Sequence, residues 1–477
     1  VAADVIARIL AAIDTCIQGC LHLVVQFGIF YEHQMGRPWD DTSEQTLIRD
    51  ALEQVELADR LGIQYVWEVE HHFLEEYSHS SAPEVFLAAC SQRTTQIRLG
   101  HGIILTAPQF NHPARTAERV SMLDLVSNGR VEFGSGESSS EAELAGFKID
   151  PLRKRDAWLE GLETTIRCMV ETPFAGVDGE FVQMPPRNVV PKPVQKPHPP
   201  LWLACSRRET IRLAAEKGIG ALTFAFIDPE EARTWVHEYE QTLDEKCVPV
   251  GLAVNPQVAC VSPMMLHHDE NEAIRRGAEG ANFFGYSLGH FYVFGTHRPG
   301  ITNVWAEYEQ RRGAQGFDPE AVARAVKEER LGAKVAAGDT TGLRGCIGTP
   351  EQTVEYLRRY EEAGVDQVIF VLQAGRNEHE HIMESIELFG REVLPEFADR
   401  DEAARAAKQA RLQPMIDAAL ARREASVERR DIDGYEFPAL PRQWADATDS
   451  DELRQVLDRF ADDRAAGRLD PTAGITG

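Results

Sequence analysis

Residues Ala51–Val69 read ALEQVELADRLGIQYVWEV, and two structural periods meet in them. Over the first twelve, Leu52, Val55, Leu57, Ala58 and Leu61 recur at helical spacing, and Gly62 stands where a helix C-cap needs it. The last seven, Ile63–Val69, form a short β-branched and aromatic run with strand character. The same rhythm extends both ways. Val24–Phe30 (VVQFGIF) is a strand candidate upstream. Downstream come a helix from Pro83 to Cys90, an apolar run at Ile97–Leu105, a helix from Pro113 to Val126 and a strand at Arg130–Phe133. Strands alternating with helices at this spacing predict parallel βαβ units.

The alternation resumes after an interruption. Asp156–Val170 reads as a helix, and a Pro-rich stretch at 174–200 follows, with Asp178-Gly179 marking a small hairpin. Further strands are expected at 201–204, 220–226, 256–262 and 367–372, with helices at Thr210–Lys217, from Pro229, from the Thr349-Pro350 cap to Gly364, and at His379–Phe397. Eight strands, each followed by helix, predict an α/β fold, a (β/α)8 TIM barrel with insertions and a helical C-terminal extension. A doubly wound open sheet fits less well, because no GxGxxG turn follows the first strand. Residues 270–345 drop the alternation and carry Phe283, Phe284, Tyr286, Phe291, Tyr292, Phe294 and Trp305, so they read as a cover over the site. The expected organisation is an N-terminal extension over 1–20, the barrel over 21–397 and a helical tail over 398–477. Within that tail, surface helices are placed at Arg405–Ser426 and Asp451–Ala466, with a Pro-containing link at 434–443.

Composition excludes several function classes. The chain has 477 residues, 43% of them hydrophobic and 26% charged, which is ordinary for a globular protein. Its net charge of −26 repels nucleic acid and anionic membranes. The eight cysteines include no CxxC pair, and Cys16 and Cys20 sit one helical turn apart, as reduced thiols used for packing. The apolar stretch Val5–Ile29 is broken by Arg8, Asp14, Gln18, His22 and Gln26 and lacks a basic leader, so it predicts neither a signal peptide nor a membrane span. A cytoplasmic location is expected.

In such a barrel, chemistry belongs to the C-terminal ends of the strands. The second strand runs into Glu70-His71-His72-Phe73. Neighbouring histidines at a strand end point to opposite faces, so they offer one ligand rather than two and no metal site is expected. One histidine at a barrel mouth is instead an acid, base or hydrogen-bond donor. The fourth strand ends in Phe133-Gly134-Ser135-Gly136-Glu137-Ser138, where glycines let backbone amides approach a ligand. After the fifth strand, Cys205-Ser206-Arg207-Arg208-Glu209-Thr210 opens a helix with two arginines and two hydroxyls, a composition suited to phosphate.

Together, the EHHF segment, the run HPARTAERVSMLDLVSNGRVEFGSG (His112–Gly136) and GTPEQTVEYLRRYEEAGVDQVIF (Gly348–Phe370) resemble the bacterial luciferase-like flavin monooxygenases over roughly residues 24–397. The resemblance implies a barrel that binds reduced FMN at its C-terminal mouth and reacts it with O2 to oxygenate a small organic substrate such as an aldehyde or ketone. It makes His71 the catalytic histidine, with Glu70 and His72 beside it. It places Ser206, Arg207 and Thr210 in the phosphate-binding turn. At His101-Gly102 it puts the non-prolyl cis peptide that the family often holds against the flavin, and at 270–345 the segment that closes over the site. Glu137 departs from the pattern, standing where luciferases carry a phosphate-binding arginine; Arg207 or Arg208 must then supply the charge. With no nicotinamide fingerprint in the chain, a separate flavin reductase is the expected partner, and a homodimer the expected assembly. A deazaflavin-dependent enzyme on the same barrel, and a non-catalytic flavin-binding partner subunit, are the alternatives; the retained Glu70-His71-His72 argues against the second.

Overall fold

The computed structural model describes residues 25–223, 227–311, 345–398, 401–425 and 431–467. The N-terminal extension over 1–20, with Cys16 and Cys20, lies outside them. So does the latter part of the proposed cover, 312–344. All eight strands expected from the apolar runs are present, and each pairs in parallel with its neighbours. They are β1 (Gln26–Tyr31), β2 (Tyr65–Glu68), β3 (Arg98–His101), β4 (Val131–Ser135), β5 (Leu201–Cys205), β6 (Gly220–Thr223), β7 (Val258–Leu266) and β8 (Gln367–Val371). The sheet runs β7-β8-β1-β2-β3-β4-β5-β6 and closes by pairing β6 with β7. Closure leaves no free edge and makes a barrel. A short extra strand, Cys346–Gly348, extends the pairing of β7 at Met264–Leu266, and the Asp178-Gly179 hairpin joins Val177–Asp178 to Gln183–Met184.

Odd-numbered residues of β2 face the barrel interior. Tyr65, Trp67 and Val69 pack there with Phe30, Trp202, Val261 and Ile369, whereas Val66 belongs to the layer under the helices. Two indoles fill the interior because their register partners are glycines. Trp67 lies opposite Gly100, and Trp202 opposite Gly220. A Cβ on Gly100 would stand 2.2 Å from Trp67 Cε3, and one on Gly220 2.5 Å from Trp202 Cε3. The two rings meet edge to face at 5.3 Å. Their buried N–H groups are satisfied by Gln367 Oε1 at 2.6 Å and Glu132 Oε2 at 2.7 Å.

Helix boundaries follow their local chemistry. Ser43–Leu61 ends at Gly62, whose φ of 88° a residue with a side chain adopts only at a cost. Pro350–Ala363 begins with a capping box between Thr349 and Gln352. Residues 270–311 depart from the expected irregular cover. They form a 20-residue helix, Glu270–Gly289, a π-helical turn, His290–Phe294, and a helix, Val304–Arg311. Phe283, Tyr286, Trp305 and Tyr308 pack on one another as a fixed cluster. Glu76, fully buried in the loop after β2, accepts hydrogen bonds from Val304 N (2.6 Å) and Trp305 N (3.0 Å) and so pins that helix to the barrel.

By internal contacts the chain divides into two compact units, Val1–Glu428 and Arg429–Gly477. The helix Asp401–Glu424, assigned from sequence to the tail, packs on the barrel instead. Leu412 and Ala419 are buried, and Arg411 pairs with Glu240 at 2.7 Å. The second unit holds the helices Leu440–Ala447 and Asp451–Ala465, the first of which begins inside the stretch read as a link. Among the described residues all six cysteines are free and buried, and no helix is long and apolar enough to cross a membrane.

Candidate active site

The loops at the C-terminal ends of the strands enclose a cavity of about 490 Å³. Such a volume suits a cofactor-sized ligand. Two chemically distinct ends can be told apart among its lining residues.

One end is built around His71. The alternation that turns Tyr65, Trp67 and Val69 inward carries on beyond β2 and brings His71 to the wall, with its N–H held by Ser80 O at 2.7 Å. Its Nδ1 donates to Glu143 Oε1 at 3.0 Å, and its Nε2 lies 3.7 Å from Glu32 Oε2. Glu32 directly follows β1, and Glu143 sits in the short helix Glu141–Gly146 after β4. Tyr77 donates to Glu32 Oε1 at 3.0 Å, and Ser138 to Glu143 Oε2 at 2.7 Å. The Tyr292 hydroxyl, from the π-helical turn, stands 3.4 Å from His71 Nδ1.

These neighbours decide the charges. Burial by itself would lower the His71 pKa, but Glu32 and Glu143 outweigh it and hold the ring at about 9. Burial raises Glu32 to about 7 against the downward pull of His71. Glu143 is also pushed up by burial, yet His71 and its hydrogen bonds prevail and keep it below the ordinary carboxylate value. At neutral pH His71 is therefore an imidazolium, with both ring nitrogens donors. A neutral, proton-accepting ring does not fit two flanking carboxylates.

The other end is cationic. Gly136, Glu137, Ser139, Lys154, Ser206, Arg207 and Thr210 line it. Arg207 precedes the helix Arg208–Glu216, so the partial positive charge of that helix start adds to its guanidinium. Among the described residues no carboxylate forms an ion pair with Arg207. Glu137 has cationic neighbours of its own. Arg155 pairs with it at 3.1 Å, and Lys154 Nζ is 4.0 Å away.

The structure thus brings His71, Gly136, Glu137, Ser206, Arg207 and Thr210 to one cavity and leaves the other candidates outside its lining. Glu70 accepts hydrogen bonds from Leu105 N (2.8 Å) and Asn111 Nδ2 (2.8 Å) and pairs with His72 Nε2 (3.1 Å), tying the loops after β2 and β3 together. His72 packs against Phe110 and Phe147. Arg208 is turned to Glu238 at 2.6 Å. His101 is fully buried, with its Nδ1 3.3 Å from Glu132 O; burial lowers its pKa to about 4. The cis peptide expected at His101-Gly102 is not found: every cis bond among the described residues precedes a proline. Gly102 donates its N–H to Glu68 O at 2.6 Å. Glu32, Tyr77, Glu143 and Lys154 were not read from sequence, and Tyr292 was read only as one aromatic of the cover. Glu32 alone carried a usable signal, standing just past the end of the first strand.

Residues 25–367 match the family model for luciferase-like monooxygenases. An uncharacterized protein of Sinorhizobium fredii is 37% identical over 171 residues, which are 35% of this chain and 48% of that relative, so the chain matches about half of it. The oxygenase component of a flavin-dependent trigonelline monooxygenase from Acinetobacter baylyi is 25% identical over 387 residues, 79% of this chain and 96% of the relative. Among solved structures, a monooxygenase from Streptomyces bottropensis superposes with a TM-score of 0.60 at 24% identity, covering 78% of this chain and 100% of its own. The oxygenating constituent of a 3,6-diketocamphane monooxygenase from Pseudomonas putida, a type II Baeyer–Villiger enzyme in complex with FMN, gives 0.58 at 17%, covering 79% and 99%. At those identities the two structures speak to the fold alone. The family match spans most of the chain, and this protein belongs to the luciferase-like monooxygenase family.

Proposed function

We propose that the protein uses reduced FMN and O2 to oxygenate a small organic substrate such as an aldehyde or ketone, with the reduced flavin delivered by a separate reductase. The observation that carries this reading is the polarity of the cavity: an unpaired arginine at a helix start at one end, and an imidazolium between two carboxylates at the other. A flavin mononucleotide has matching ends, a phosphate dianion and a ring whose chemistry needs proton control. Arg207, Ser206, Thr210 and Lys154 would hold the phosphate, the guanidinium giving charge-assisted hydrogen bonds. Gly136, lacking a side chain between Ile103 and Ala204, leaves room for close approach; a Cβ there would lie 3.1 Å from Ile103 Cγ2.

Reduced flavin supplies the two electrons with which O2 is activated. The chain's own residues supply the rest. The doubly protonated ring of His71 lines the cavity, where its positive charge would stabilise negative charge developing on oxygen and supply a proton to it. Tyr77, Leu288 and Tyr292 wall off this end, and water kept out of it strengthens that interaction. A separate reductase is supported by the oxygenase-component relative and by the absence of a Gly-rich dinucleotide turn after β1.

The test gives the purified protein reduced FMN in one arm and reduced deazaflavin in another, each with and without O2, over a panel of carbonyl compounds. Oxygenated product that requires both FMN and O2 is the expected result. Substrate reduction by deazaflavin without O2 would replace this reading with hydride transfer, and no turnover in either arm would remove it.

A further inference from the structure

Glu32 is a carboxylate on the cavity wall whose burial is unfavourable to its charge. It is 2% exposed, and its Oε2 has no hydrogen-bond partner, although Oε1 accepts from Tyr77. The bare oxygen is the one that lies 3.7 Å from His71 Nε2. Glu143 holds the opposite ring nitrogen at 3.0 Å. His71 is therefore bracketed along its Nδ1–Nε2 direction by two buried carboxylates from two different barrel loops. One such carboxylate would neutralise an imidazolium. Two leave the trio with a net negative charge, which buried apolar surroundings oppose. A stability role gives no reason for the second.

We propose that Glu32 is a positioning residue for the reaction: across the ring from Glu143, its carboxylate keeps His71 doubly protonated and so sets the pH above which the site loses its imidazolium. The inference rests on the reading of His71 as the proton-handling group. The groups facing Glu32 are His71, Tyr77 and Ser78 from the loop after β2, Glu143 from the helix after β4 and, farther off, Tyr292 from the π-helical turn. Only His71 among them can carry positive charge. Ionising Glu32 thus favours a proton on His71 and little else. With burial holding Glu32 to about 7 and His71 at about 9, the interval between them is where Glu32 and Glu143 are both charged and His71 is an imidazolium. The site then loses its imidazolium as pH rises through about 9.

The experiment titrates His71 in the full-length protein by NMR of histidine-labelled samples, with its signal assigned from the His71→Asn variant, and needs neither flavin nor substrate. In Glu32→Gln the midpoint should fall by about 1–3 pH units, the usual effect of removing an opposite charge at this range. In Glu32→Asp, where the charge remains but is withdrawn by one methylene, it should fall less. The alkaline limb of the turnover profile should move with the NMR midpoint. A midpoint unchanged in Glu32→Gln overturns the proposal; should that variant not fold, an unchanged midpoint in Glu32→Asp does so. The two readings fail separately. A shifted midpoint with normal turnover in His71→Asn would retain the link between Glu32 and His71 and discard the catalytic reading of His71.

Discussion

Replacing Arg207 by Ala isolates the anion-binding end of the cavity. Its guanidinium has no ion-pair partner among the described residues, so no internal salt bridge is lost, and nothing offsets the missing ligand contact. A hydrogen bond to a charged group contributes about 1.5–3 kcal/mol. At about 1.4 kcal/mol per tenfold, that predicts FMN binding weaker by roughly 10- to 150-fold. Riboflavin has the same ring and no phosphate, and its affinity should change less than about twofold. Arg208 provides the internal control. It is paired with Glu238 at 2.6 Å on the other side of the turn, so Arg208→Ala should leave the affinity for both ligands within about twofold and cost at most about 1 kcal/mol of stability. Flavin fluorescence titrations at fixed ionic strength measure all six affinities. Equal losses for FMN and riboflavin in Arg207→Ala, or a larger FMN loss in Arg208→Ala, would refute the phosphate assignment.

Three further outcomes follow from the geometry. Gly100→Ala should destabilise the barrel by about 3 kcal/mol or prevent folding, because its Cβ would lie 2.2 Å from the Trp67 ring; urea unfolding reads this out. Asp59 accepts hydrogen bonds from the amides of Thr95, Gln96 and Ile97 at 2.7–2.9 Å, so Asp59→Ala should lose about 3 kcal/mol in the same assay. Glu32 has its pKa raised from 4.5 to about 7, so the folded state binds the proton more tightly and Glu32 subtracts stability as pH rises from 4.5 through 7. Glu32→Gln should remove that slope, making the variant more stable relative to wild type at pH 7 than at pH 4.5 by roughly 3 kcal/mol.

The barrel was legible in the sequence because its signals are local. Each strand is a short apolar run beside a helix of clear period, and Gly62, Thr349 and Gly364 mark helix ends within one residue of where they fall. The turn after β5 was legible for the same reason, as its three cavity-lining residues, Ser206, Arg207 and Thr210, lie within five positions. The His71 end was only half legible. Alternation along β2 carries His71 to the inner face once Trp67 is known to point inward, but both faces of a barrel strand are buried and parity alone does not choose between them. Its partners, Glu32, Glu143 and Tyr292, lie 39, 72 and 221 positions from it, and their meeting depends on barrel closure. Arg208 and Glu70 misled because composition does not show which way a side chain turns. The helices of 270–311 were not legible because glycines and aromatics mask their period, and their order comes from tertiary packing onto Glu76 and from their own aromatic cluster.

The most direct test of the account is a crystal structure of the wild-type protein with FMN. The phosphate should lie within hydrogen-bond distance of the Arg207 guanidinium and of Ser206 or Thr210, with the isoalloxazine ring reaching the wall formed by His71, Tyr77 and Tyr292. FMN bound in the reverse orientation, with its phosphate toward His71, or bound outside this cavity, would contradict it.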